Sequence, residues 1–329
     1  MRKFYVVATA LIMTAVGAMA QSQLKATPGM EQIRGIVKMQ IDNGTMPKFN
    51  GDTDPLELRR ITENAQMGMP TNIPGFHADP IKLGGIDGEN CYMDNVNDDA
   101  ILIYIHGGGL ICGNAASSRG YAAIYAGETG YRVYTLTYRL IPENPFPAAV
   151  EDCFNAYKAV LERHPGKPVF LLGESGGAYL SITTAMMARD NGVTLPAAIM
   201  PYSPVIDMSG ALNRTREADH DFTVTKEGME MLAKLYTTPD NLKNKYVSPY
   251  YDDMHGMPPT LLAWDMNEHL GVDSEVLVQK FLKQGIECHF KAYPECFHAF
   301  APLGRATPES SEVLDNTIAF IKAHIKKAQ

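Results

Sequence analysis

From about Ile81 onward, short apolar runs alternate with segments whose apolar residues recur at helical spacing. The runs are "AILIYI" (100–105), "RVYTLTY" (132–138), "PVFLLG" (168–173), "AAIMPY" (197–202), "TLLAW" (260–264) and "CHFKAY" (288–293). Several show no polar alternation. A strand that is apolar on both faces is covered on both, as in a parallel sheet flanked by helices. Between the runs the spacing changes to that of helices. "SEVLVQKFLKQG" stops on Gly285, a residue type suited to the turn after a helix. "ESSEVLDNTIAFIKAHIKK" carries Leu314, Ile318, Ile321 and Ile325 on one face. Thr307 before Pro308 supplies an N-cap and a proline at the first helical position. The pattern predicts an α/β fold: a mostly parallel, doubly wound sheet with helices on both faces.

Two stretches interrupt the alternation. Residues 21–75 are rich in polar and turn residues around a helical patch, "DPLELRRITENAQMG". Residues 207–246 contain "TVTKEGMEMLAKLY". Both read as additions over one end of the sheet, an N-terminal cap segment and a cap insertion. Residues 76–206 and 247–329 then form the core. The first residues, "MRKFYVVATALIMTAVGAMAQ", have Arg2 and Lys3, an apolar run, and Ala18-Met19-Ala20 before Gln21. This is the layout of a secretory signal peptide over residues 1–20, cleaved between Ala20 and Gln21. The apolar run is short for a membrane span, and no stop-transfer charges follow it.

The composition narrows the function less than the pattern does. At 329 residues and 45% hydrophobic content, the chain can bury a large core. A net charge of −8 gives no basic footprint for nucleic acid. Five cysteines (91, 112, 153, 288, 296) have no CxxC or zinc spacing, and read as buried thiols. No metal and no cofactor are expected.

Two motifs carry chemistry. Gly173-Glu174-Ser175-Gly176-Gly177 matches G-x-S-x-G after a strand and before a helix. Such a turn exposes the serine Oγ, and its flanking positions have no room for a Cβ. The helix N-terminus behind Ser175 favours developing negative charge. The second motif is "HGGGLICGN", His106 to Asn114, directly after a buried-looking strand. Glycines there let the backbone approach a reacting carbonyl and aim N–H groups at its oxyanion. The candidate donors are Gly108, Gly109 and Gly176. Other residues read as structural. Glu174 is a local hydrogen-bonding residue, and Trp264 is core. Asp252 and Asp253 form a solvated turn, and Cys112 and Cys296 are not needed as nucleophiles.

These segments resemble the hormone-sensitive-lipase-like esterases of the α/β-hydrolase superfamily, the HGGG group or bacterial family IV. The HGGG is His106–Gly109. "YRLIPENPFPAAVEDC" (138–153) is close to the family's Y-R-L-A-P-E-x-P-F-P-A-A, and G-E-S-G-G-A stands where G-D-S-A-G-G is usual. "SPVIDMSG", "VSPYYDDMHGMPPTLL" and "YPECFHAF" are similar to further family segments. The likeness covers roughly residues 75 to 325. It implies a serine–acid–histidine triad in that chain order. His298 in "YPECFHAF" follows the last strand and takes the histidine place. The family's acid lies in a D-P-L-R-D-like stretch, here "LLAWDMNEHLGVDSEV". Counts from Pro258-Pro259-Thr260 and back from Gly285 both reach Glu268. His269 then replaces the usual proline and Gly271 the usual arginine. Asp265 is the competitor, if the loop is shorter.

With the signal-like N-terminus, the resemblance implies an exported serine carboxylesterase whose ester is small or carbohydrate-borne. The two cap segments are rather polar, with "DTDPLELRR" and "DHDFTVTKEG", and are expected to cover the site without a broad apolar surface, which points to short acyl esters. A deacetylase of acetylated carbohydrate would use the same triad. A non-catalytic receptor, as in the related gibberellin receptors where the histidine is lost, is disfavoured because Ser175, Glu268 and His298 all stand. No stable membrane span and no nucleic-acid partner are expected. A homodimer is left open.

Overall fold

Strand β3 (Asn97–Ile105) shows how an apolar run becomes a central strand. Its last six residues, Ala100 to Ile105, are all buried. Ile101, Ile103 and Ile105 join one hydrophobic cluster, while Leu102 and Tyr104 join another. The period of two sends alternate side chains to opposite sheet faces. The computed structural model describes residues 25–46, 48–52, 54–66, 73–214 and 221–328. The segment read as a signal peptide lies outside the described residues.

The chain forms an eight-stranded sheet in the order β1-β2-β4-β3-β5-β6-β7-β8. The strands are β1 (Phe76–Leu83), β2 (Ile86–Met93), β3, β4 (Tyr131–Leu136), β5 (Val169–Glu174), β6 (Ala198–Tyr202), β7 (Thr260–Asp265) and β8 (Cys288–Tyr293). From β4 across to β8 all pairings are parallel. Helices α4 (Ala148–Arg163), α5 (Gly176–Asp190) and α7 (Gly271–Lys283) pack on the face of Ile103. Helices α3 (Arg119–Thr129) and α8 (Pro308–Ala328) pack on the face of Tyr104. The doubly wound α/β expectation holds. Thr307 caps α8 through its Oγ1, which accepts the Ser310 N–H at 3.1 Å. Gly285 follows α7 with φ +67°.

The sequence pattern missed β1 and β2. They form an antiparallel hairpin joined by Gly84 and Gly85, and β2 pairs antiparallel with β4. β1 is an edge strand and holds Pro80, a residue an edge tolerates. Its half-wet alternation contains no apolar run.

The two interrupting stretches meet. Residues 21–75 contribute α1 (Pro28–Asp42) and α2 (Pro55–Gln66), and residues 207–246 contribute α6 (Lys226–Tyr236). Phe49 forms a parallel bridge with Val224, so segments far apart in the chain are tied by backbone hydrogen bonds. Val37 of α1, Leu58 of α2 and Met229 of α6 line one cavity together with Ser175.

Candidate active site

The site lies at the C-terminal ends of the parallel strands, where open α/β sheets hold their ligands. All six residues of β5 are buried, and the chain turns sharply after Glu174. Ser175 has φ +53° and ψ −118°, a left-handed conformation for a residue with a Cβ. Such strain costs on the order of 1–3 kcal/mol and persists only where neighbours fix it. Here the Ser175 N–H donates to the Tyr202 carbonyl at 2.9 Å, and the Ser175 carbonyl accepts from Tyr179 at 3.0 Å. A Cβ on Gly177 would run into the Ile105 carbonyl, which explains the glycine after Gly176.

The structure brings Ser175, His298 and Glu268 together. His298 Nε2 lies 2.8 Å from Ser175 Oγ, and its Nδ1 lies 2.7 Å from Glu268 Oε2. His298 sits on the loop after β8, held by the Ala299 N–H, which donates to Ser203 Oγ at 3.2 Å. Glu268 is fully buried on the loop after β7. Burial alone would pull the His298 pKa down. The Glu268 charge and hydrogen bond outweigh it and leave the imidazole more basic than usual. Burial also raises the Glu268 carboxyl, against the pull of His298.

The glycine loop is fixed from several sides. Glu174, one residue before the serine, accepts the Gly107 N–H on Oε1 at 2.7 Å and the Tyr104 hydroxyl on Oε2. Burial pushes its carboxyl up to about 7. His106 is buried and stacks on Tyr138, with ring centroids 4.2 Å apart. The Tyr138 hydroxyl donates to the His106 carbonyl at 2.8 Å. Arg59 of α2 donates to the Ile111 carbonyl from Nε at 2.8 Å and to the Ile141 carbonyl from Nη2 at 2.9 Å. Gly108 and Gly109 have φ of +94° and +60°, a region that favours glycine. Gly108, Gly109 and Gly176 all line the cavity with Ser175. Among the described residues, the N–H groups of these three glycines donate no hydrogen bond. Sequence reasoning gave Tyr104, Tyr138 and Arg59 no role. Tyr138 opens the quoted "YRLIPENPFPAA" segment, and that proximity was the available signal.

The acid side is built differently. Asp265 ends β7, 1% exposed, and makes no hydrogen bond to His298 among the described residues. Its Oδ1 accepts the Asn267 N–H at 3.1 Å, while its Oδ2 is buried without a partner. Burial first, and the Glu268 charge second, push its carboxyl up to about 7. Asp221, unremarked in the sequence, accepts the His269 N–H at 2.8 Å. A proline at 269 would have no such proton. The departure from the family segment thus ties this loop to residues 207–246. Glu174 behaves as the local hydrogen-bonding residue expected, and Trp264 is buried core.

Three readings need correction. Asp252 is not a solvated turn residue. It is 6% exposed and holds Arg189 through both oxygens, at 3.0 and 2.8 Å, because the loop folds back on α5. Asp253 is exposed. Of the five free thiols Cys288 is only half-buried, since β8 is an edge strand; the other four are buried. The polar composition of the cap does not reach the cavity. The helices turn Leu58, Met229 and Leu232 inward and their charges outward, so the roughly 300 Å³ cavity has a mainly apolar wall.

Comparison with known proteins agrees with this architecture. A family model described as alpha/beta hydrolase fold matches residues 102–302. An acetyl-hydrolase of Streptomyces hygroscopicus is 31% identical over 305 residues, 90% of this chain and 97% of that one. An esterase of Acinetobacter venetianus is 28% identical over 269 residues, 81% of this chain and 88% of that one. Among solved structures, a hormone-sensitive lipase from a metagenome library matches with a TM-score of 0.83 at 26% identity, covering 92% of this chain and 99% of that one. An esterase of the bacterial hormone-sensitive lipase family matches with a TM-score of 0.82 at 28% identity, covering 92% and 100%. Fold and relatives together define a serine hydrolase acting on carboxylic esters. Within that class, the chain belongs to the hormone-sensitive-lipase-like esterases of the α/β-hydrolase fold.

Proposed function

We propose that Ser175 is the nucleophile, His298 the general base and acid, and Glu268 the residue that orients and stabilises the imidazolium. Ser175 Oγ attacks the ester carbonyl as His298 Nε2 takes its proton. The tetrahedral oxyanion accepts hydrogen bonds from the backbone N–H groups of Gly108, Gly109 and Gly176. His298 then gives the proton to the leaving alcohol, and the acyl-enzyme forms. Water, deprotonated by the same nitrogen, releases the acid. One observation carries the reading. Hydrogen bonds of 2.8 and 2.7 Å run in series from serine to histidine to glutamate, beside three backbone N–H groups that donate no hydrogen bond among the described residues.

The substrates on this reading are short acyl esters. A cavity of about 300 Å³, walled by cap side chains, supports a short chain. The name of the Streptomyces relative, acetyl-hydrolase, points the same way. Residues 21–75 and 207–246 act as one cap over the core. Residues 1–20 are removed on export, which N-terminal sequencing of the secreted form at Gln21 would test. Among the described residues, no helix is long and apolar enough to cross a membrane. Ser175→Ala is the direct test of the mechanism. Only the residual rate owed to the oxyanion hole and binding should remain, a loss on the order of 10⁶ in a comparable triad. A variant that keeps a tenth of wild-type turnover means another nucleophile. A panel of nitrophenyl esters tests the chain length: higher kcat/KM on dodecanoyl than on butanoyl esters would overturn the short-acyl reading.

A further inference from the structure

The segment around Phe49 belongs to neither helix of the N-terminal cap, yet it is held at both ends. The Phe49 N–H donates to the Thr223 carbonyl at 2.9 Å, and its carbonyl accepts the Thr225 N–H at 3.1 Å. The Thr225 hydroxyl also donates to that carbonyl at 3.1 Å, and the same Oγ1 caps α6 by accepting the Gly228 N–H at 3.1 Å. A Cβ on Gly228 would lie 2.8 Å from Phe49 Cδ1, so the ring is seated on the first turn of α6. Its far edge reaches the glycine loop. A Cβ on Gly109 would lie 2.7 Å from Phe49 Cε2 and 2.9 Å from Cζ. One half-buried ring therefore spans the gap between the cap insertion and a proposed oxyanion donor, and it lines the cavity.

The cavity has two walls, which belong to opposite faces of the sheet. Leu58, Val224, Met229 and Leu232 are part of the Ile103-side cluster, and Phe49 packs against it. Phe297 is part of the Tyr104-side cluster, with Tyr121 and Leu303 packed against it. The leaving oxygen must face His298 Nε2 to receive its proton. Phe297 neighbours that histidine in the chain and lines the cavity, so its wall is the one offered to the alcohol on this reading. The acyl chain is then directed to the opposite wall.

We propose that Phe49 is a specificity-determining residue that limits acyl-chain length by closing the acyl end of the cavity against Gly109. The proposal rests on the assignment of Ser175 and His298 above, which Ser175→Ala tests separately. The experiment measures kcat and KM for wild type, Phe49→Ala and Phe49→Leu. One series varies the acyl chain from acetyl to dodecanoyl on a fixed alcohol, and the other varies the alcohol on a fixed acetyl group. Phe49→Ala should raise kcat/KM for octanoyl relative to acetyl by roughly tenfold or more, chiefly through KM, as expected when an apolar pocket gains room for methylenes. Phe49→Leu should give a smaller shift in the same direction, and the alcohol profile of both should match wild type. A shift confined to the alcohol series, an equal loss at every acyl length, or an unchanged acyl profile overturns the proposal. If Phe49→Ala fails to fold by circular dichroism and melting, the same criteria apply to Phe49→Leu. A wild type that already prefers long chains would sink the short-acyl reading alone, because Phe49 is judged on the ratio of variant to wild type.

Discussion

Two loops flank Ser175, and they are built on opposite principles. The glycine loop from His106 to Cys112 is anchored from β3, β5, α2 and the segment after β4, through Tyr104, Glu174, Arg59 and Tyr138. Among the described residues, the N–H groups of its Gly108 and Gly109, like that of Gly176 after β5, donate no hydrogen bond. The acid loop from Asp265 to His269 gathers carboxylates. Glu268 and Asp265 are both buried, and Asp221 approaches from residues 207–246. An oxyanion site needs preorganised dipoles, and rigid backbone supplies them without reorganisation during the reaction. On the proposed mechanism the acid side must instead hold one negative charge beside an imidazole that becomes positive. Extra carboxylates there strengthen the charge field and raise the cost of burial together.

The comparison is broken most severely on the acid side by Glu268→Gln. That change removes the charge facing the imidazolium, and in a comparable triad costs on the order of 10⁴ in kcat. The Glu268 charge keeps the His298 pKa raised against burial, and the proposed mechanism needs the neutral imidazole. The acid limb of kcat/KM in Glu268→Gln should therefore move to lower pH, measured on the residual activity. A nearly normal Glu268→Gln beside an inactive Asp265→Asn would reassign the acid.

On the glycine side the corresponding change is Glu174→Ala. It leaves the Gly107 N–H and the Tyr104 hydroxyl without acceptors next to the proposed donors. The expected loss resembles that of one oxyanion donor, roughly 10² to 10³ in kcat with little change in KM. Glu174→Gln keeps a carbonyl oxygen for Gly107 and should restore most of the rate. Equal activity of the Ala and Gln variants would mean that the loop does not depend on this tie.

The legibility of the two loops in the sequence follows the same division. Gly107 to Gly109 and Gly176 to Gly177 stand out because close backbone approach excludes other residues, and the constraint is local. Counting from Pro259 and Gly285 leads to Glu268, and the structure sets it 2.7 Å from His298, because β7 and α7 fix the loop's ends. The side chains that tie the loops were not legible. Tyr104 reads as one more apolar residue of β3, and Asp221 as one polar residue in a polar stretch; their partners lie 70 and 48 residues away. Phe49 is likewise defined by Thr223 and Gly109, not by its neighbours in the chain. β1 and β2 were missed because one wet face and an edge proline leave no apolar run.

The smallest effect, and the one that most sharpens the comparison, is expected from Asp265→Asn. Asp265 is close enough to Glu268 for that charge, after burial, to help raise its carboxyl to about 7, with Arg34 opposing and Asp221 adding. Turnover near pH 6 should fall less than tenfold, since Asp265 does not touch His298 and is mostly protonated there. Stability should respond more clearly. An exposed aspartate in the unfolded chain titrates near its ordinary value of about 4, so between about pH 4 and pH 7 the folded state binds the extra proton. The contribution of Asp265 is therefore fully present at low pH and is lost as pH rises through about 7. The neutral amide escapes that loss. The melting temperature of Asp265→Asn minus that of wild type should increase steadily from pH 4 to pH 7 and level off above it. The underlying free energy should change by at most about 1.4 kcal/mol per pH unit. A difference that stays flat across the window would show that Asp265 is ionised throughout, and that the acid loop carries a second full charge beside Glu268.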